Sequence, residues 1–179
     1  MTSRHAPRVA PTGAAAYAPL PREGWAQVHA REHVTRYLRR GTGRPLVALS
    51  DDTATDTPWP VLAAALSARY RVLLPEIPAG ATAGAFASWL DAFLDGVGAE
   101  PVSLVAFGAR CAEVLAFAAE DAGRLGRVVL VPGDAEEVVP LARSAPSPVP
   151  VMVVPPAAPT AMAFGAVQRF LEGAGGIAD

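Results

Sequence analysis

The sequence predicts an α/β chain, a mostly parallel sheet wrapped by helices, on three observations. Short apolar runs without polar alternation, such as Pro45–Ser50 and Tyr70–Pro75, recur between turn signals, as in strands covered on both faces. Stripes of apolar residues at three- and four-residue steps stand between those runs and mark helices. From Val102 to Val131 a buried strand, a tight turn, a helix and a second buried strand follow without interruption, the unit from which parallel sheets are built.

In chain order, residues 1–23 are rich in Pro, Ala and Gly without periodicity and predict a mobile arm, with one domain over residues 24–179. Gln27–Leu38 alternates loosely and ends at Gly41-Thr42-Gly43, predicting one or two edge strands closed by a turn. After the Pro45–Ser50 strand comes a polar loop. Thr57 and Pro58 then signal a helix start, with a hydroxyl cap and proline in the first turn. Leu62, Ala65, Leu66 and Arg69 follow at helical spacing. The Tyr70–Pro75 strand leads to a helix after Thr82, where Phe86, Trp89, Leu90, Phe93 and Leu94 form one stripe and Gly96 is the expected stop. That aromatic stripe is read as core against the sheet. Beyond Val131, Pro132-Gly133-Asp134 opens a segment dense in proline, Pro140–Pro150. A last strand spans Pro150–Pro155. Thr160 caps a final helix with Phe164, Val167, Phe170 and Leu171 on one face.

Composition narrows the function. Of 179 residues, 51% are hydrophobic and 18% charged, so the chain can bury a core. Fifteen basic residues, every one an arginine, face 17 acidic residues for a net charge of −2, with no basic block. Nucleic acid and anionic membranes are therefore not expected partners. The apolar runs are too short to span a bilayer. The first residues lack the apolar core of a secretion signal, which predicts a cytoplasmic location. A single cysteine, Cys111, excludes an intrachain disulfide.

The order of motifs resembles the α/β-hydrolase superfamily from about Trp25 to Gly173. Val47-Ala-Leu-Ser50-Asp51-Asp52 stands where that family has apolar residues followed by His-Gly. Arg71-Val-Leu-Leu-Pro75-Glu76-Ile-Pro78 is similar to its "Arg-Val-Ile-Ala-Pro-Asp-Leu-Pro" strand, and Leu104-Val-Ala-Phe-Gly108-Ala-Arg-Cys111 lies on its Gly-x-Ser-x-Gly elbow. Leu115–Glu120 and Arg127–Val131 continue the likeness. The resemblance implies a truncated three-layer sandwich of this kind, without a cap and short of one late helix–strand unit.

The departures fall on the chemistry. The position that the family gives to its nucleophile is Gly108, and the flanking glycines are replaced by Ala106 and Arg110. The histidines are His5, His29 and His33, so none follows the elbow as the family's base does. Pro155-Pro156-Ala157-Ala158 offers no acid. Of the oxyanion donors the resemblance implies, the Ala109 amide remains, while Asp51 and Asp52 put negative charge near the second, about Asp52. No catalytic residue is therefore assigned, and a Ser-His-Asp mechanism is not expected.

Several side chains carry alternative readings. Arg110 is expected either to pair with Asp51 or Asp52 in the former oxyanion pocket or to point into solvent. Cys111 at a helix start is either a reactive thiolate or a buried residue packed between helix and sheet. Asp51, Asp52, Glu76 and Asp134 share the carboxyl-end rim, either for a hard cation or simply solvated. His29 and His33, four apart, are read as solvated strand residues rather than metal ligands. Gly108 alone does not make a dinucleotide loop. No metal and no cofactor is expected.

Two functions follow. The first is a non-catalytic protein that binds another protein or its own copy, for instance as the accessory subunit of an enzyme complex. Surface uncovered by the absent cap and late unit would serve it. The alternative is a small-molecule site, binding or catalytic, that reuses the rim through Asp51, Asp52, Glu76, Arg110 and Cys111.

Overall fold

The computed structural model describes residues 23–50, 59–98, 101–134, 140, 148–155 and 160–173. The arm, the Thr57–Pro58 helix start, Asp51, Asp52 and most of the proline-dense segment lie outside the described residues. Seven strands form one sheet: β1 (Glu23–Ala30), β2 (His33–Arg40), β3 (Arg44–Leu49), β4 (Tyr70–Pro75), β5 (Val102–Phe107), β6 (Leu125–Val131) and β7 (Val151–Val153). Their spatial order is β1-β2-β4-β3-β5-β6-β7. The hairpin β1–β2 and the pair β2–β4 are antiparallel; all the rest are parallel.

Four described helices cover the sheet: α1 (Trp59–Ser67), α2 (Ala83–Val97), α3 (Arg110–Glu120) and α4 (Thr160–Glu172). Alternate strand residues supply two cores. Val47, Leu49, Leu104, Ala106, Val128 and Leu130 pack with α2 and α3, while Leu46, Ala48, Val72, Val105 and Val129 pack with Leu62 and Leu66 of α1 and Val167 and Leu171 of α4. Period-two alternation between two buried faces is why these strands read as continuous apolar runs.

The aromatic stripe on α2 is core as expected: Phe86, Trp89, Leu90, Phe93 and Leu94 are all buried. Trp89 stacks on Phe93 with centroids 6.1 Å apart, and Tyr37 of β2 meets Phe93 edge-on at 5.5 Å. The helix does not stop at Gly96. It runs to Val97 and is closed by Gly98, left-handed at φ 57°, whose N–H donates to the Asp95 carbonyl. Gly96 has a different task. A Cβ there would run into the Val28 side chain and reach 3.0 Å from the Ala30 Cβ, so its absence lets β1 lie close against α2.

The edge region resolves into two strands joined at Arg31–Glu32, a turn without glycine or asparagine. Arg31 is the one described non-glycine residue at positive φ, 54°, a conformation that costs roughly 1–2 kcal/mol. Ion pairs hold it there. Its guanidinium lies 2.5 Å from Asp91 and 2.6 Å from Asp95, both on α2, and Arg124 grips the same two carboxylates from the α3–β6 connection. The hydrogen bond to Asp91, with the charges of Asp91 and Asp95, raises the Arg31 pKa. One cluster thus fastens hairpin, helix and crossover. Nothing local in the sequence marks Arg31 and Arg124 as partners of Asp91 and Asp95, which stand four apart on α2.

Candidate functional site at the β5–α3 elbow

Strand β5 ends at Phe107 and α3 begins at Arg110, leaving Gly108 and Ala109 to turn the chain. Gly108 is left-handed at φ 56°. Its N–H donates to the Val131 carbonyl at 3.0 Å, and its own carbonyl accepts from the Cys111 N–H at 3.1 Å. A Cβ built on Gly108 meets no described atom within 4 Å. Gly133, just past β6, stands beside the turn: a Cβ there would lie 3.7 Å from the Gly108 Cα. The turn is thus left-handed at a glycine, with no described atom close above it and no side chain presented.

Arg110 does not point into solvent. Its Nη1 donates to Glu113 Oε2 at 2.6 Å, its guanidinium carbon sits 5.6 Å from the centre of the Phe86 ring, and its side chain is only 17% exposed. Such an i,i+3 pair is ordinary helix-surface chemistry, here strengthened by partial burial and the ring face. The expected Asp51 and Asp52 partners lie outside the described residues.

Cys111 is buried, 1% exposed, and its thiol donates to the Ala106 carbonyl at 3.4 Å. This corrects its place among the rim ligands: the side chain points inward, between α3 and the sheet. Native protein is expected to react with a thiol reagent only as fast as the β5–α3 unit opens, and far faster once unfolded. A burst of labelling in the native state would contradict the burial.

Glu76 is also separated from the elbow. It follows β4, and β3 lies between β4 and β5, a separation of roughly 10 Å at the usual strand spacing. Its carboxylate is 3.3 Å from Arg36 Nη1 and its N–H donates to the Arg36 carbonyl at 2.8 Å, tying β4 to β2. Asp134 is exposed beyond β6. Of the five proposed rim ligands, the described structure thus leaves Arg110 at the elbow, Glu76 two strands away and Cys111 withdrawn.

The histidines do not converge. His29 pairs across the hairpin with Val34 and His33 with Ala30, so strand alternation sends their side chains to opposite faces. His29 Nε2 is 3.1 Å from Gln27 Nε2, while His33 lies 3.9 Å from Glu32. No group of three His, Cys, Asp or Glu side chains among the described residues could hold a metal ion.

No protein-family model matches the sequence, and no curated protein does. Solved structures do. A putative hydrolase from Bacillus subtilis superposes with a TM-score of 0.56 at 20% identity, over 63% of this chain and 44% of that one. Carboxylesterase CesB from the same organism gives 0.55 at 22% identity, over 65% and 45%. Epoxide hydrolase VrEH1 from Vigna radiata gives 0.56 at 17% identity, over 63% and 41%. The chain has the α/β-hydrolase fold. It spans less than half the length of these three proteins. Identity this low speaks for the fold and not for an activity. The β5–α3 turn, with Gly108 in it, is where the sequence motif implied the elbow.

No helix among the described residues is long and apolar enough to cross a membrane. The large apolar side chains exposed among the described residues are Trp25, 58% exposed, and Val34, 59% exposed. Both belong to the β1–β2 hairpin.

Proposed function

We propose that this chain is a non-catalytic protein of the α/β-hydrolase fold that acts in the cytoplasm by binding protein, as an accessory subunit of an enzyme complex. The observation that carries the reading is Gly108: the β5–α3 turn is left-handed there, at φ 56°, and carries no side chain that could act as nucleophile. Two further features support it. No histidine follows His33 in this sequence, so no imidazole base follows the turn, and Trp25 and Val34 offer apolar contact surface.

The test separates a lost nucleophile from a lost site. Gly108→Ser restores the hydroxyl at a left-handed position where a Cβ would meet no described atom within 4 Å, for roughly 1–2 kcal/mol of stability. Both wild type and Gly108→Ser are expected to hydrolyse p-nitrophenyl acetate no faster than buffer. A partner from the native host is expected to remain bound in fixed stoichiometry through gel filtration. Ester turnover by homogeneous wild-type protein would overturn the reading.

A second reading, a small-molecule site on the rim, is supported by Gly108, where a Cβ would meet no described atom within 4 Å. The residues that the sequence offers for it are Asp51, Asp52, Glu76 and Arg110. Ligand-induced stabilisation lost in Arg110→Ala would promote it over the first.

A further inference from the structure

Strand β2 pairs with β4 only from Tyr37 to Arg40, and a further backbone bond joins the Glu76 N–H to the Arg36 carbonyl. From His33 to Thr35 no described strand other than β1 flanks β2, so the end of the hairpin, Val28–Thr35, projects past β4. Its described ties to the rest of the chain run to α2. Val28 and Ala30 lie against Gly96, Thr35 Oγ1 accepts from Trp89 Nε1 at 2.9 Å, and Arg31 pairs with Asp91 and Asp95. The Arg31 ties differ from the others in being ionic and partly in solvent, with the Arg31 side chain 51% and that of Asp95 44% exposed.

Arg31 also carries the backbone penalty of the turn. At φ 54° the closed turn is disfavoured by roughly a factor of 5–30 against one with ordinary φ. That penalty vanishes when the turn opens, whereas the ion pairs exist only while it is closed. Opposed terms thus meet in one residue, and a residue held at such a φ by tertiary contacts marks an element with a second state. We propose that Val28–Thr35 is a strap that opens from α2 as a unit, with the clasp of Arg31 on Asp91 and Asp95 making its opening respond to ionic strength. Added salt shortens the screening length from roughly 10 Å at 0.1 M to about 3 Å at 1 M, which weakens the clasp and leaves the φ penalty unchanged. Arg124 keeps Asp91 and Asp95 paired after Arg31 leaves, so opening strands neither carboxylate. It uncovers the flank of α2 at Gly96 and frees Trp89 Nε1 from Thr35, while the parallel part of the sheet stays in place. The strap goes beyond the protein-binding reading and does not rest on it.

Hydrogen exchange of the full chain, read by mass spectrometry on peptides covering Val28–Thr35 and β5, tests the strap. Between about 0.05 and 1 M sodium chloride, its exchange is expected to quicken on the order of tenfold relative to β5. Arg31→Ala keeps the backbone penalty and loses the clasp, so its strap is expected to exchange at least that fast in either salt, without a salt response. Arg31→Gly loses clasp and penalty together and is expected to recover most of the protection, again without a salt response. A wild-type strap that exchanges no faster than β5, or whose exchange ignores salt, would overturn the proposal. So would an Arg31→Ala strap as protected as wild type at low salt, or an Arg31→Gly strap that keeps the full salt response.

Discussion

Trp89→Ala is expected to lower the stability of the fold by about 3–5 kcal/mol, the range for deleting a buried aromatic side chain. Trp89 is 1% exposed, at the centre of the row that joins elbow to hairpin: Phe86 under Arg110, then Trp89, Phe93 and Tyr37. It also carries a buried polar bond, from Nε1 to Thr35 Oγ1 at 2.9 Å, and Thr35 is itself 3% exposed. Alanine would leave both a cavity and an unpaired hydroxyl. Trp89→Phe separates the two losses, because most of the ring remains and the bond does not. Its cost is expected at about 1–3 kcal/mol, and removing the Thr35 hydroxyl in the same protein (Thr35→Val) should recover part of it. Urea unfolding at constant m-value measures both. A Trp89→Ala midpoint within error of wild type would mean that α2 does not anchor the hairpin.

Gly41→Ala is expected to cost on the order of 3 kcal/mol, for two reasons that can be told apart. Gly41 lies between β2 and β3 at φ 75°, and a Cβ there would collide with the backbone carbonyl oxygens of Ser67 and Tyr70. Neither oxygen can swing aside as a side chain would, since Tyr70 begins β4 and Ser67 ends α1. Gly80 is the control. It has φ 68° but open space, so Gly80→Ala is expected to show only the left-handed penalty, about 1–2 kcal/mol. If the two substitutions cost the same, the close approach of the β2–β3 turn to the α1–β4 turn is not what holds Gly41.

The legible part of the molecule was the part governed by local pattern. Tyr70–Pro75 and Val102–Phe107 read as continuous apolar strands because both faces are buried, and the Phe86–Leu94 stripe read as one helix face because 3.6-residue periodicity survives any tertiary setting. The helix end was misread at Gly96 because a glycine required by a neighbouring strand looks, in one dimension, like a glycine that caps. Gly98 caps; Gly96 makes room for Val28. The Arg31 turn was not legible for a related reason. Its usual signal is a residue that tolerates positive φ, and here Asp91 and Asp95, about sixty residues away, supply that tolerance instead.

The candidate site divides along the same line. The sequence by itself determined that the elbow carries glycine, that no histidine follows it, and that strand–helix alternation builds a parallel sheet, since residue identity and period suffice for each. The tertiary structure alone decided the rest, because side-chain direction depends on what packs against it. It turned Cys111 inward onto the Ala106 carbonyl, gave Arg110 to Glu113 and Phe86, and drew Glu76 to Arg36. It also left Trp25 of β1 and Val34 of β2 exposed on the hairpin.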